Sequence, residues 1–230
     1  MISTYLLVNI FIIAVPLLLT FEKKIKYYRK LPALFASIII VGGTYIVWDV
    51  IATLRGDWSF NPEHITGLKI FQLPLEEILF FVTVPYSGIF LYETGKLYLG
   101  DKTLAIRKIP FYISAALLII ISLIFIDQYY TFTVMLFSAI FLIMAILYHS
   151  KYPVLNSSLY WKWILFMYLP FILVNYILTS LPVVSYSSDA IWGIRIITIP
   201  FEDFLYSFSM LSFYLFVYLL IKKKWLKENE

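Results

Sequence analysis

Apolar residues fill seven stretches of the chain, each about as long as a helix that crosses a membrane. A helix needs roughly 20 apolar residues to span about 30 Å of hydrocarbon. The stretches are Ile2–Phe21, Leu31–Leu54, Phe71–Tyr92, Ile109–Ile126, Tyr129–Tyr148, Trp161–Leu181 and Ile196–Ile221. The pattern predicts an all-α, polytopic protein with seven transmembrane helices. The first stretch lacks a basic flank and a cleavage site of small residues, so we expect a retained helix and no removed signal peptide.

Lysine and arginine residues are distributed unevenly between the predicted loops. Of the 18, all but Arg55, Lys69 and Arg195 lie in the loops that would share one side of the membrane. At the carboxyl end they are Lys222, Lys223, Lys224 and Lys227. Basic residues near helix ends are retained on the cytoplasmic side. The sequence therefore predicts an amino end outside and a carboxyl end inside.

Composition supports a membrane protein and excludes several kinds of site. The chain is 62% hydrophobic and only 14% charged, which favours the bilayer as its solvent. It has no cysteine and two histidines that lie far apart, so disulfides, thiolate metal sites and a histidine metal site are not expected. The net charge of +4 comes from loop residues that a membrane orientation requires, and nucleic acid binding is not predicted.

A polar motif occurs twice at the head of a long apolar stretch. Pro74 is followed by Glu76 and Glu77, and a shift of 126 residues brings Pro200, Glu202 and Asp203 onto these positions. The same ungapped shift superposes Gly67 on Gly193, Ile51 on Ile177, Thr53 on Thr179, Ser59 on Ser185, Ile65 on Ile191, Ile70 on Ile196 and Leu79 on Leu205. Matched proline, glycine and acidic positions in one window indicate an internal repeat.

The repeat predicts a single membrane domain, residues 1–230, built on a 3+1+3 plan. Repeat one covers about 1–95, a linker helix about 105–127, and repeat two about 128–222. Because one helix separates two units with an odd number of helices, both units would cross the membrane in the same direction. The repeats are therefore predicted to be parallel and related by a pseudo-twofold axis along the membrane normal.

The acidic residues of the repeated motif are the candidate catalytic groups. An acid in the first turn of a helix gains only about 0.3–1 kcal/mol from the helix dipole. An acid near the membrane centre costs about 2.5–3.5 kcal/mol, so a pair kept in both halves points to more than helix capping. We expect Glu76, Glu77, Glu202 and Asp203 to surround one chamber if the repeats pack face to face. Asp49 joins this set at the same expected depth, and the shift pairs it with Asn175.

Aromatic residues near the acids are candidates for substrate contact. An aromatic face can stabilise a carbocation by roughly 1–2 kcal/mol in a dry site. The alternative is that these residues belong to interfacial belts or ordinary packing. Pro85 is expected to kink the third helix. The candidate substrate-binding residues are Tyr45, Trp48, Phe80, Phe81, Asn175 and Tyr206.

The motifs of nucleotide, metal–diphosphate and dinucleotide chemistry are missing from the sequence, and no cofactor is predicted. A carboxyl group in an apolar chamber favours its protonated form, and neighbouring carboxyls repel each other when both are charged. A cluster of acids can therefore offer a proton donor beside a base. This pair suits a lipid-soluble alkene that gains a proton at one carbon and loses a proton from another.

The paired motifs Pro74-Leu75-Glu76-Glu77 and Pro200-Phe201-Glu202-Asp203 resemble those of the small membrane lycopene cyclases, which occur as heterodimers or as fused halves. The resemblance implies cyclisation of the linear ends of lycopene, with β-carotene formed by way of γ-carotene. It also implies a carotenoid substrate, a multi-pass location in the cell membrane and catalytic roles for the paired acids. On this reading Glu76 or Glu202 is the leading candidate for the proton donor.

Two other functions stay open at this point. Small transporters also use a 3+1+3 plan, and there the acids would bind protons or solute. A non-catalytic assembly protein would show neither activity. Ring type, the number of ends cyclised and the oligomeric state do not follow from the sequence.

Overall fold

A computed structural model describes residues 3–228, with side chains described for 3–224. Ile2, the first residue of the first predicted span, and the side chain of Lys227 lie outside the described residues. The protein is 71% helical. Its helices are α1 (Thr4–Leu18), α2 (Leu31–Ser37), α3 (Gly43–Arg55), α4 (Leu75–Leu99), α5 (Ile109–Ile124), α6 (Tyr129–Leu147), α7 (Ser158–Ser180) and α8 (Phe201–Glu228).

Five helices in the described part of the chain are long and apolar enough to cross a membrane. One of them is continuous from Tyr27 to Arg55, because a π-helical segment at Ile38–Gly42 joins α2 to α3. The others are α4, α6, α7 and α8. The two remaining predicted spans contain shorter apolar helices, α1 with 15 residues and α5 with 16. The count of seven crossings and their orientation stay predictions.

Short strands, which an all-α reading does not include, precede α4 and α8. Strands β2 (Lys69–Ile70) and β3 (Leu73–Pro74) form a hairpin before α4, and β5 (Arg195–Ile196) and β6 (Ile199–Pro200) form one before α8. As a result α4 and α8 begin after the motif proline, later than predicted. Both acids of each motif therefore lie in the first turn of a helix.

A third strand pair relates the two halves by an approximate twofold. Strand β1 (Trp58–Phe60) pairs antiparallel with β4 (Val184–Tyr186), and Ser59 lies opposite Ser185. These two serines are equivalent under the 126-residue shift. On either side, the amide of Asn61 donates to the carbonyl of Val183, and that of Ser187 donates to Asp57. These two bonds are also equivalent under the shift, as a twofold relation requires.

Helices pack both within each half and between the two halves. In each half the first helix packs on the third, α1 on α4 and α6 on α8. The second helix packs on the third helix of the other half, since α2 contacts α8 and α7 contacts α4. Helix α5 packs on α6. The starts of α4 and α8, with their acids, are therefore enclosed by both halves.

Prolines inside two helices free backbone carbonyls that other side chains satisfy. Pro85 has no N–H for the carbonyl of Phe81, and the Tyr214 hydroxyl donates to that carbonyl at 3.0 Å. Pro16 likewise leaves the carbonyl of Ile12 free, and Ser87 donates to it at 2.8 Å. These bonds tie α4 to α8 and to α1.

Candidate active site

Three of the five predicted acids line one cavity between the halves. The cavity has a volume of about 60 Å³, and Asp49, Glu77 and Asp203 are part of its wall. Asp49 and Asp203 are each 2% exposed. Three carboxyl groups are therefore gathered around one small space.

The cavity lies on the approximate twofold. Its wall includes both members of five pairs of positions that the 126-residue shift makes equivalent. The pairs are Asp49 with Asn175, Trp58 with Val184, Phe60 with Tyr186, Glu77 with Asp203, and Phe80 with Tyr206. Only the Glu77 and Asp203 pair has a carboxyl group on both sides. The two halves thus contribute different side chains to one shared site.

Glu77 and Asp203 have different hydrogen-bond partners. The Tyr5 hydroxyl donates to Oε2 of Glu77 at 2.6 Å. Asp203 accepts from two hydroxyls, Tyr130 at 2.5 Å to Oδ1 and Tyr186 at 3.0 Å to Oδ2. Hydrogen bonds from hydroxyl donors stabilise a carboxylate. Asp203, with two such donors, is therefore stabilised as an anion more than Glu77, which has one. Partial burial and the neighbouring Asp203 raise the pKa of Tyr186, which keeps its hydroxyl a donor.

Asp49 is held by the indole of Trp58. The Trp58 N–H donates to Oδ1 of Asp49 at 2.9 Å, and the Thr53 hydroxyl lies 3.4 Å from the same oxygen. The other oxygen, Oδ2, is buried and has no hydrogen-bond partner among the described groups. An unpaired oxygen of this kind is a candidate to carry a proton, since a buried charge without a partner is costly. Oε2 of Glu76 and Oε2 of Glu202 are unpaired in the same way.

Glu76 and Glu202 each bind the start of a neighbouring helix and one loop. Oε1 of Glu76 accepts from the Ser3 hydroxyl and the Thr66 amide, each at 2.6 Å. Oε1 of Glu202 accepts from the Thr131 hydroxyl and the Trp192 amide, also at 2.6 Å. Thr66 and Trp192 are equivalent under the shift. The structure does not bring either glutamate into the wall of the 60 Å³ cavity.

The predicted substrate contacts divide in the same way. Trp48, Phe80, Asn175 and Tyr206 line the cavity. Tyr45 and Phe81 are buried behind the wall instead, where Tyr45 lies edge-on to Trp48 and Tyr206. They support the wall residues by packing.

Aromatic rings form much of the cavity wall. Trp48 stacks on Tyr130 and on Tyr206, with ring centroids 6.0 and 5.7 Å away, and the two tyrosine rings lie 6.3 Å from each other. Tyr130 also stacks on Tyr186 at 5.6 Å. Such faces attract positive charge, most strongly in a site without water. The cavity thus combines carboxyl groups with rings that suit a cation.

A larger apolar cavity adjoins the first. Its volume is about 340 Å³, and it lies between α1, α4, α7 and α8. Phe80, Asn175 and Tyr206 line both cavities. A third apolar cavity, of about 500 Å³, shares Leu91 and Phe166 with the second. A series of apolar cavities therefore leads from the acids along α4.

Sequence reasoning missed the residues that hold the acids. Tyr5, Trp58, Tyr130 and Tyr186 all donate to carboxyl oxygens in the cavity. The repeat comparison did not reveal them, because the shift pairs Trp58 with Val184 and Tyr186 with Phe60. Their positions could have indicated them. Tyrosine or tryptophan residues lie at the starts of α1 and α6 and in the two strands that pair at the twofold.

The described residues contain no group of three or more His, Cys, Asp or Glu side chains arranged to hold a metal ion. The absence of a cofactor stays a prediction from the sequence.

Comparison with known proteins gives one match. A family model described as lycopene cyclase matches residues 3–94 and 127–221, which is well over half of the chain and leaves out α5. The two matched segments correspond to the two helix sets that pack around the cavity. No curated protein and no solved structure matches the chain.

Proposed function

The chain belongs to the lycopene cyclase family, and we propose that it closes the linear ends of lycopene to β-ionone rings without a cofactor. Family membership establishes a two-repeat carotenoid cyclase and a lipophilic substrate. The ring type, the residues and the mechanism are the proposal. The observation that carries it is the shared cavity with Asp49, Glu77 and Asp203 in its wall.

In this proposal Glu77 supplies the proton and Asp203 accepts one. Glu77 has a single hydroxyl donor, whereas Asp203 has two, which favours the anion at Asp203. Asp49, with one unpaired oxygen, exchanges protons with this pair. Glu76 and Glu202 hold the loops that close the site.

The reaction is an isomerisation in which no electrons leave the substrate. The acid transfers a proton to C2 of the terminal C1=C2 double bond while the electrons of C5=C6 form the new C1–C6 bond. Positive charge then develops at C5. Loss of the proton from C6 to the carboxylate forms the ring double bond, and the overall proton count is unchanged. Concerted attack is needed because a carboxylic acid is a weak donor toward an alkene.

The cavity wall suits the charge that develops during ring closure. Trp48, Tyr130 and Tyr206 border the cavity, and an aromatic face turned toward a desolvated cation contributes roughly 1–2 kcal/mol. Exclusion of water matters as well, since water would trap the cation as an alcohol. A carboxylate at Asp203 adds a negative charge that stabilises the developing cation.

The substrate's polyene chain would lie in the apolar cavities along α4. Their lining follows this helix from Glu77 to Tyr98, roughly 30 Å at 1.5 Å per residue, which is about the thickness of the hydrocarbon layer. One end of the polyene would reach the acids between Phe80, Asn175 and Tyr206. Asp49, Glu77 and Asp203 line the same cavity, so the two ends would react there in separate binding events.

The acidic cavity must widen to admit an end group. An apolar cavity of about 150 Å³ holds a benzene ring, whereas this one measures about 60 Å³. Phe80 and Tyr206, which border both cavities and are only half-buried, are the side chains whose rotation would join the two spaces.

The proposal includes a multi-pass position in the cell membrane, with seven crossings, the amino end outside and the carboxyl end inside. The five long apolar helices and the distribution of basic residues support it. The acidic cavity would then lie toward the outer surface.

Expression in cells that accumulate lycopene tests the proposed reaction. We expect β-carotene, with γ-carotene as the intermediate, and unchanged lycopene in cells that carry the empty vector. A product with ε-rings would contradict the β-assignment but not the family. Unchanged lycopene, with the protein shown to be in the membrane fraction, would contradict the proposed function.

A further inference from the structure

The far end of α4 borders a strongly basic cavity that the cyclisation site does not use. Its volume is about 540 Å³. One carboxylate, Glu93, lies in its wall together with six basic side chains. These are Lys24, Lys26, Arg29, Lys30, Lys96 and Lys222.

Glu93 fixes two of the lysines at the base of the cavity. It is 3% exposed, and its Oε2 lies 2.7 Å from Nζ of Lys30. Its Oε1 lies 2.5 Å from Nζ of Lys222 and accepts from the Tyr218 hydroxyl at 2.8 Å. One buried carboxylate thus holds two ammonium groups from different helices beside each other. The centre of the cluster carries an excess positive charge.

The remaining basic groups increase that excess. Among the side chains that the structure describes, no carboxylate lies within salt-bridge distance of Lys24, Lys26, Arg29 or Lys96. With all six basic groups charged, Glu93 leaves a net charge of about +5 in the wall. Like charges gathered beside a partly apolar surface repel each other, and an anion in the cavity would relieve that repulsion.

Membrane orientation alone does not require this arrangement. Basic loop residues on the cytoplasmic side would satisfy the orientation rule if they were spread through solvent, as Lys102, Arg107 and Lys108 are. Here basic groups from the loop after α1, from α4 and from α8 face one shared cavity. Basic cavities between helices on that side of a membrane are suited to lipid headgroups.

The cavity wall also has the apolar part that a lipid needs. Ile25, Ala33 and Leu97 line it beside the basic groups, and Leu97 is 49% exposed on the side of α4. An acyl chain could follow this surface toward the membrane while the headgroup faces the lysines.

From this geometry we propose that the basic cavity binds a phosphate-bearing anion, with the headgroup of an anionic phospholipid as its source. Lys24, Lys26, Arg29 and Lys96 contact the phosphate, and the Glu93 cluster holds the cavity open. The site lies far from the acids, since Glu77 and Glu93 are roughly 24 Å apart along α4. Its occupancy is therefore separable from cyclisation chemistry.

Lipid titration of the purified, detergent-solubilised protein tests the proposal. Native mass spectrometry would count retained phosphatidylglycerol or phosphatidylcholine, and thermal unfolding would report stabilisation by each lipid. The test variant is the triple substitution Lys24→Gln, Lys26→Gln and Lys96→Gln. The matched control removes three positive charges from the same side of the protein: Lys102→Gln, Arg107→Gln and Lys108→Gln.

We expect one phosphatidylglycerol to be retained in preference to phosphatidylcholine, with about tenfold or greater weakening in the test variant and little change in the control. Equal losses in both triple variants would overturn the proposal, because they would indicate general attraction to a basic surface. Equal retention of the two lipids would overturn it too. Inorganic phosphate provides the second arm. Phosphate that displaces the lipid at millimolar concentration, and stabilises the wild type but not the test variant, would support the phosphate site. It would overturn the lipid headgroup as the source of the anion.

Discussion

A hydroxyl group from α8 reaches the backbone of α4 beside Gly42, at the carbonyl that Pro85 leaves free. The Tyr214 hydroxyl donates to the free carbonyl of Phe81, and a Cβ atom on Gly42 would lie 2.8 Å from that hydroxyl oxygen. Replacement of Gly42 by alanine should therefore push the hydroxyl off the carbonyl. Gly43 provides the matched control, because its added Cβ would meet nothing within 4 Å.

The two variants are expected to change stability in opposite directions. Alanine in a helix is favoured over glycine by about 0.5–1 kcal/mol, and Gly43→Ala should gain that amount. Gly42→Ala should gain the same but lose a buried hydrogen bond and leave its acceptor unpaired, at a cost of about 1–3 kcal/mol. The difference between the variants is then about 1–3 kcal/mol.

Thermal unfolding in detergent, followed by tryptophan fluorescence, would measure this difference. The same two variants expressed in lycopene-accumulating cells would show whether this hydrogen bond helps to position the acids at the start of α4. We expect lower conversion with Gly42→Ala and wild-type conversion with Gly43→Ala. Equal stability of the two variants would refute the role assigned to the Tyr214 hydroxyl.

Three further substitutions address the substrate path, the third acid and the basic cluster. Val84→Trp should fill the apolar cavity and lower conversion at least tenfold, whereas Ile113→Trp on the exposed face of α5 should not, as pigment analysis would show. Asp49→Asn keeps an oxygen for the indole donor, so protein yield should hold while conversion falls at least tenfold; unchanged conversion would remove Asp49 from the reaction. Glu93→Gln leaves the ammonium groups of Lys30 and Lys222 without a charged partner, and should lower the free energy of unfolding by about 3 kcal/mol. Denaturant titration would measure this loss. An unchanged free energy of unfolding would mean that water already solvates the cluster.

The sequence predicted the helical part of the fold well because a bilayer imposes a simple rule on helix length. Each predicted apolar stretch contains a helix, and five of the resulting helices are long enough to cross a membrane. The family was also confirmed, and its match covers two segments and omits α5, which is consistent with the predicted repeats.

The hairpins before α4 and α8 escaped prediction because their turns lack the usual residues. Phe71 and Gln72 have positive φ values of 50° and 72°, a turn that normally contains asparagine or glycine. A run of apolar residues through this turn is indistinguishable from a helix by composition. The helices consequently start later than predicted, and the acids lie at their first turns.

Which acid of each pair faces the cavity could not be read from the sequence. Neighbours in a helix point about 100° apart, so Glu76 and Glu77 start in different directions. The choice depends on how Ser3, Thr66 and Tyr5 approach from other elements. Such contacts between distant residues leave no periodic signal.

Amide replacement of the four motif acids tests the central claim most directly. Conversion of lycopene per amount of membrane-embedded protein would be compared for Glu77→Gln and Asp203→Asn on one side and Glu76→Gln and Glu202→Gln on the other. The account predicts that the first two variants lose at least 99% of conversion at normal protein levels, about 2.7 kcal/mol or more of transition-state stabilisation. It predicts that the second two lose stability and yield but retain conversion per molecule. Normal conversion by Glu77→Gln and Asp203→Asn, with loss confined to Glu76→Gln and Glu202→Gln, would contradict it.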